Sequence, residues 1–546
     1  MRDVLRFLLI IILCNIFHST IALGTMRIYN VDEYGINPDG KPIAAKLSKL
    51  SREVSSSGGG TILFGKGRYI MGSELTSDGK PIGNVRLYPN VTYQGVEGTV
   101  IVPNDKKLGF HSMFCTIDHS AENIVFENII FETYIGTRNN RLNDFRLAII
   151  LHWCKNILIR DCRFIFDIGS IDTRYSHDIN DKNSGIYRVN GLVIENCVFE
   201  AKILVDSGYK DITSVGICAQ NVFFRNNRFL VSENILANDN KFFPNCCLEV
   251  QGKDIWVYNN TFSGLTNAID FTSTDNYPEQ RNINIFNNII KCYRGLALWS
   301  NGSNIARGVS IQNNYFNLSC DNSNKRVTGI KGCVVFVTHP TDSYKGIYKD
   351  VFILGNIFDY ENTKDYYAAI TYEDWIDNIQ HKSDEKYGMA FEEFYSALAL
   401  GGASIERSNI YICNNAFRNC VFPCVYIGGG GISKNYYVCE NVFDNCVLQE
   451  NWAMVSLVNF CTSIYITGNR IRFLSSENNV QNGLFCQTKL NNKLYSRGIK
   501  ENSPVFNGIS IRDNRAINFN TLHAIRNDVP FLQEGESNCF ESVVTE

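Results

Sequence analysis

Apolar and polar positions alternate through one nine-residue pattern that returns along most of the chain. It reads DIWVYNNTF from Asp254, NVFFRNNRF from Asn221, NINIFNNII from Asn282, GVSIQNNYF from Gly308, DVFILGNIF from Asp350, NIYICNNAF from Asn409 and NYYVCENVF from Asn435. Fainter copies start at Asn123, Asn156, Gly191, Ser463 and Gly508. The second and fourth positions are apolar, as in Ile255 and Val257 or Ile410 and Ile412. Residues two apart share one face of a strand, so these positions face a core. The third and fifth positions vary among Trp256, Tyr258, Ser310, Gln312 and Arg225, which marks a solvent face. At the seventh position Asn recurs at 227, 260, 288, 314, 356, 415, 441, 469 and 514. Asn tolerates the left-handed conformation, and its amide can bond to copies above and below, so it suits a stacked turn. The ninth position is usually Phe and returns to the core.

Copies stand as little as 26 to 28 residues apart, as between Asn282 and Gly308 or Asn435 and Ser463. That period fits one coil of a parallel β-helix with about three short strands and three turns. Leucine-rich repeats would need their leucine signature and propeller blades about 40 residues. The 59 residues from Asp350 to Asn409 leave room for a loop projecting from a coil. At 546 residues the length alone suggests several domains, but a periodic chain grows by stacking units.

The stretch VDEYGINPDGKPIAAKLSKLSREVSSSGGGTILFGKGRYIMGS from Val31 holds a turn at Pro38-Asp39-Gly40 and an amphipathic helix from about Ile43 to Val54. A Gly58-Gly59-Gly60 break and a strand carrying Gly67-Arg68-Tyr69 follow. This resembles the N-terminal cap of the pectate-lyase-like superfamily, which includes polygalacturonases, rhamnogalacturonases and tailspike depolymerases. Asp32, Gly35, Asp39, Gly40, Gly58 to Thr61, Gly67 and Tyr69 match, whereas Lys41-Pro42-Ile43 replaces the usual Thr-Asp-Asp. The resemblance implies an all-β, right-handed parallel β-helix, here of about twelve or more coils, with the helix covering its open apolar end. The expected organisation is a signal peptide over 1–24, cap and first coils over 25–105, and the β-helix over 106–520 with a long insertion at about 360–400. A C-terminal cap or tail over 521–546 ends the chain.

A net charge of −3 without a basic stripe argues against a nucleic-acid partner. Arg2 and Arg6 precede an apolar run from Phe7 to Phe17, followed by small residues near Ala22 and Gly24. That is a signal-peptide pattern and is shorter than the roughly 20 residues of a membrane span. The mature chain is therefore expected to be secreted, periplasmic or extracellular, with no membrane span. Of the 19 cysteines, Cys14 lies in the leader. Cys162 and Cys197 occupy the seventh repeat position and Cys413 and Cys439 the fifth, which reads as packing. Stacking would bring Cys413 near Cys439 and Cys420 near Cys446, within disulfide range, although parallel side chains disfavour the torsion. No zinc spacing appears, so no metal is expected.

Superfamily members bind saccharides along the outer face of one sheet, which the segments ahead of each repeat should supply: SVGICAQ, CLEVQGK, AIDFTST, GLALWSN and CVVFVTH. If Leu248 and Val250 face inward, Glu249 and Gln251 face out, and the same phase exposes Asp270, Thr272 and Trp299. AIILHW and GIYRVN present His152 and Arg188. Glu249 and Asp270 then share a column of adjacent coils, about 4.8 Å apart at the backbone. Two carboxylates so close repel, which divides them into acid and base, as glycosidases require. Trp299 offers a flat face for a sugar ring, and Glu373 and Asp374 stand in a long acidic and aromatic loop that could wall the groove.

The function expected is a secreted glycoside hydrolase that binds a polysaccharide and needs no cofactor. A polysaccharide lyase or uronate epimerase is the alternative, with Arg188 or His152 as base and calcium as a cofactor. A carbohydrate-binding protein without turnover is the third reading. The aspartate cluster of calcium-dependent pectate lyases and the motif series of polygalacturonases are both missing from the sequence.

Overall fold

The structure is a computed structural model. It describes residues 27–71, 74–75, 81–82, 85–103, 112–116, 120–133, 147–166, 169–173, 188–202, 213–231, 246–264, 267–272, 279–292, 294–300, 305–318, 332–338, 346–361, 395–401, 406–446, 453–472, 483–489, 506–517, 522–527, 539–540 and 544–545. The leader over 1–24 and most of the insertion near 360–400 lie outside these residues.

Each turn of the chain contributes up to three strands, and like stacks on like. Strands ahead of the repeats form a leading ladder, the first five repeat positions form a repeat ladder, and the residues after the conserved Asn form a return ladder. The return ladder is a 15-stranded sheet. The other two merge into one 26-stranded sheet, because Thr213–Arg225, Cys246–Tyr258, Val425–Cys439 and Ala453–Thr467 run through both. The architecture is a right-handed parallel β-helix. Residues 522–545 add strands to all three ladders.

The register keeps second position on second position: Val222 opposite Ile255, then Ile283, Val309, Val351, Ile410, Tyr436, Ile464 and Ile509. All are fully buried. A slip of one residue would turn that whole set outward, so each aliphatic pins the register as well as contributing about 1.5–3 kcal/mol. Ninth-position rings stack through the interior, Phe131 on Phe164, Phe199, Phe229 and Phe262, with centroids 4.7–5.1 Å apart.

The seventh-position asparagines form one hydrogen-bonded line from Asn227 to Asn514. The backbone N–H and side-chain amide of Asn260 both donate to Asn288 Oδ1 (2.9 and 3.0 Å), and Asn288 does the same to Asn314. The left-handed residue is a different one. It is the sixth position that has positive φ, as in Asn226, Asn259, Asn287, Asn313 and Gly355, and so has the first, as in Asn221, Asp254, Asn282 and Gly308. The chain therefore separates two properties of asparagine that the sequence reading joined. Position six uses its tolerance of left-handed backbone, where Gly serves equally, and position one adds to that tolerance a side-chain ladder in which Asn282 donates to Asp254, Asn409 to Asp350 and Asn435 to Asn409. Position seven uses its paired donor and acceptor.

The outward columns are also in register. Phe352, Tyr411, Tyr437 and Tyr465 stack at the third position with centroids 4.7–5.1 Å apart. At the fifth, Arg160 pairs with Glu127 and Arg225 with Glu195.

Helix α1 (Ala44–Ser56) buries Ala44, Leu47, Leu50, Ser51 and Val54, spaced three and four apart. It packs on Val85–Arg86, Gly60–Phe64 and Val91–Gly95 of the first coils. The Tyr93 hydroxyl donates to Ser51 Oγ (2.9 Å), which donates to the Leu47 carbonyl, so the helix is tied to the stack it covers. Gly58 and Gly59, both left-handed, end it. Among the described residues no helix is long and apolar enough to cross a membrane.

The described cysteines are free thiols. Cys413 lies directly opposite Cys439, as the repeat implies, with neither fully buried. The Cys439 thiol donates to the Cys413 sulfur and outweighs burial, bringing Cys413 down to about 7. Burial instead pushes Cys333 up to about 12. In the folded protein iodoacetamide should label Cys413 well ahead of Cys333, at a rate that falls as pH drops below about 7. Mass mapping of alkylated peptides checks this, and equal labelling of both would contradict it.

Candidate functional site

The outer face of the leading ladder gathers four of the predicted residues, Glu249, Gln251, Asp270 and Thr272. Asp172, Gly216, Glu249, Asp270 and Ala297 follow one another in register, one per coil. The adjacent outward column holds Cys218 opposite Gln251, then Thr272 and the backbone of Trp299, which follow the paired Phe271 and Leu298. The Trp299 side chain lies outside the described residues, as do Glu373 and Asp374. Arg188 directly precedes Val189, which pairs with Ala219, so Arg188 enters this column opposite Cys218. It belongs to the start of a repeat strand; the leading strand of that coil is Ile171–Asp172. His152 follows the leading strand Leu147–Ile150 and is buried. Its neighbour Trp153 is left-handed and exposed, with the Arg188 guanidinium 4.3 Å above its ring.

The geometry brings Glu249 and Asp270 side by side and gives each its own set of donors. Thr213 Oγ1 donates to Glu249 Oε2 and Thr272 Oγ1 to Oε1, both at 3.0 Å. Gln251 Nε2 donates in turn to Thr272 Oγ1 (3.0 Å), which directs the threonine proton toward the carboxylate. On Asp270, Asn267 Nδ2 donates to Oδ2 (2.9 Å) and Arg294 Nη2 to Oδ1 (3.2 Å). Arginine offers donors and no acceptor, so Asp270 is the acceptor in this charge-paired contact.

Two features differ from the sequence reading. The face points outward, yet Asp270 and Arg294 are each only 7 % exposed, so the pair is covered and is not bare surface. The repulsion expected between the two carboxylates is also answered by a third charge, Arg294, which the sequence analysis did not select. Strict alternation hides Thr213, Asn267 and Arg294, because residues three before Gly216, Asp270 and Ala297 should face the other way. The pairing skips one residue, Cys247 in one coil and Ala268 in the next, and that corner residue faces the core together with Leu248 or Ile269 after it, so the residue before the corner shares the outward side. Asp172 was missed because its strand has only two residues, too few to display a period.

The column contains two carboxylate spacings. Glu249 and Asp270 are one strand apart, about 4.8 Å at the backbone, whereas Asp172 and Glu249 are two strands apart across the side-chain-free Gly216, about 9.6 Å. Carboxyl groups about 5–5.5 Å apart suit retention of anomeric configuration at a cleaved glycosidic bond, and 6.5–9.5 Å suits inversion.

No protein-family model matches the chain, and no curated protein sequence does. Solved structures match in fold. The tailspike protein of E. coli bacteriophage HK620 in complex with a pentasaccharide superposes with a TM-score of 0.56 at 14% identity, covering 90% of this chain and 77% of that one. A double mutant of that tailspike, with one aspartate and one glutamate replaced, gives 0.58 at 13% identity, covering 92% and 75%. A variant in complex with a hexasaccharide gives 0.56 at 13% identity, covering 90% and 77%. At these identities the likeness is one of fold, and it agrees with the pectate-lyase-like β-helix that the N-terminal motif resembles.

Proposed function

We propose that this chain is an exported glycoside hydrolase that binds a polysaccharide along the outer face of its leading ladder, with Glu249 and Asp270 as the reacting carboxylates. The observation that carries the reading is their register in adjacent coils, each with donors on both oxygens. In this scheme Arg294 and Asn267 hold Asp270 ionised beside the sugar. Glu249 carries the proton, with the Thr213 hydroxyl able to turn and accept from it while Thr272 goes on donating to the other oxygen. In the same scheme Gln251, Thr272, Trp299, Arg188 and His152 would position the chain of sugars, with Glu373 and Asp374 from the insertion. The saccharide complexes of the HK620 tailspike support carbohydrate as the ligand class. Export through residues 1–24 belongs to the same proposal. A lyase or epimerase is less favoured, because the Arg188 guanidinium is already engaged on Trp153.

A screen over a polysaccharide panel tests this. New reducing ends without ultraviolet-absorbing unsaturated sugars are expected. Unsaturated products would instead show a lyase, and binding without products a carbohydrate-binding protein. The spacing of Asp172 from Glu249 favours a second reading of the same site, and proton NMR of the first-formed anomer separates the two. Retention is expected of Glu249 with Asp270, inversion of Glu249 with Asp172.

A further inference from the structure

Far from the proposed saccharide face, three cysteines converge inside the helix. Cys420 and Cys446 follow the left-handed Asn419 and Asn445 at equivalent places on adjacent coils, two residues beyond the paired Arg418 and Asp444. Cys424 directly precedes the leading strand that begins at Val425. Their sulfurs lie within 4.8 Å of one another. The three cysteines belong to the apolar core that also holds Phe417, Val421, Phe422 and Phe443, and they are at most 2 % exposed.

We propose that Cys420, Cys424 and Cys446 form a trigonal thiolate site for a soft monovalent d10 cation of the Cu(I) class. Three sulfurs at metal–sulfur distances of about 2.3 Å around one ion stand about 4 Å from one another, which the cluster meets with little movement. A disulfide needs two of them at about 2.05 Å with a torsion near 90°, and Cys420 and Cys446 leave equivalent backbone positions side by side. Structural zinc takes four ligands, and among the described residues the cluster contains three. Thiolate ligands select Cu(I) over harder ions. Bound there, the ion ties two successive coils and the start of a leading strand, next to none of the proposed catalytic groups. The site thus stands or falls independently of the hydrolase reading.

The test uses the full chain, purified under reductant without oxygen and titrated with Cu(I) against a chromogenic Cu(I) chelator, with Ag(I) as a second probe. One ion per chain is expected, with an X-ray absorption shell of three sulfurs and a raised melting temperature. Cys424→Ser should weaken binding by roughly 100-fold or more, beyond the 10- to 100-fold loss typical of an outer-shell partner. Cys486→Ser, at another buried cysteine, should leave it unchanged. Circular dichroism establishes that each variant is folded, and the absorption spectrum of the wild-type protein tests the site without any variant. No stoichiometric Cu(I) on the reduced folded protein overturns the proposal. So does a two-sulfur or four-coordinate shell, or a disulfide joining two of the three cysteines in the exported protein.

Discussion

If the proposed hydrolase reading holds, Glu249→Gln is expected to lower polysaccharide cleavage by roughly 10²- to 10⁴-fold, the usual contribution of a positioned proton-transfer group, while the protein stays folded. The amide keeps the shape of the carboxyl group, its oxygen still accepts from one threonine, and the other hydroxyl can turn to accept from its N–H. The neighbouring substitution behaves differently. Asp270→Asn removes the charge opposite Arg294 in a pair whose side chains are about nine-tenths buried, and breaking such a pair from one side costs about 3–5 kcal/mol. Lost activity in Asp270→Asn therefore comes with a lowered melting temperature and is not diagnostic by itself. Measured together, kcat and thermal unfolding of the two variants separate chemistry from scaffolding. Full activity in folded Glu249→Gln would remove this residue from the mechanism.

Asn288→Ala is expected to be among the most destabilising single changes in the helix, whereas Asn287→Gly beside it is nearly neutral. Asn288 is 1 % exposed. Its Oδ1 accepts from the backbone and side chain of Asn260, and its amide donates to the Val257 carbonyl (2.9 Å) and to Asn314 Oδ1. Alanine leaves the Asn260 N–H and the Val257 carbonyl buried without these partners, at about 1–3 kcal/mol for each. It also cuts the asparagine line, so the coils on either side lose a shared tie. Asn287 is exposed with φ 56°, a conformation that Gly adopts without strain, so its replacement loses little. Urea unfolding and limited proteolysis of the two variants check the contrast. Equal destabilisation at 287 and 288 would mean that the turn conformation, and not the buried amide, holds the coils together.

Much of the scaffold was legible because a solenoid repeats its local rules. Each coil buries the second, fourth and ninth positions against the same positions of its neighbours, so Ile255, Val257 and Phe262 declare both the strand and its register. The capping helix was legible for the same local reason, a three-and-four spacing of Leu47, Leu50 and Val54 closed by glycines. The site was only half legible. Glu249, Asp270, Gln251 and Thr272 follow from strict alternation, and the structure puts them on one face. Arg294, Asn267 and Thr213 do not, since a corner residue just after each of them breaks the alternation, and no one-dimensional period encodes that break.

The sequence by itself determined the coil, its apolar interior, the cap and the column that carries Glu249 and Asp270, because all of these rest on contacts between equivalent positions of neighbouring repeats. Only the tertiary structure decided what depends on contacts between non-equivalent positions. It assigned the left-handed backbone to the sixth asparagine and the hydrogen-bonded line to the seventh, and it set Arg294 against Asp270. It brought Asp172 into line across Gly216 and gathered Cys424 with Cys420 and Cys446. Residues that meet because a coil turns a corner, or because insertions of different length still return the chain to the same ladder, share no spacing that a repeat can display.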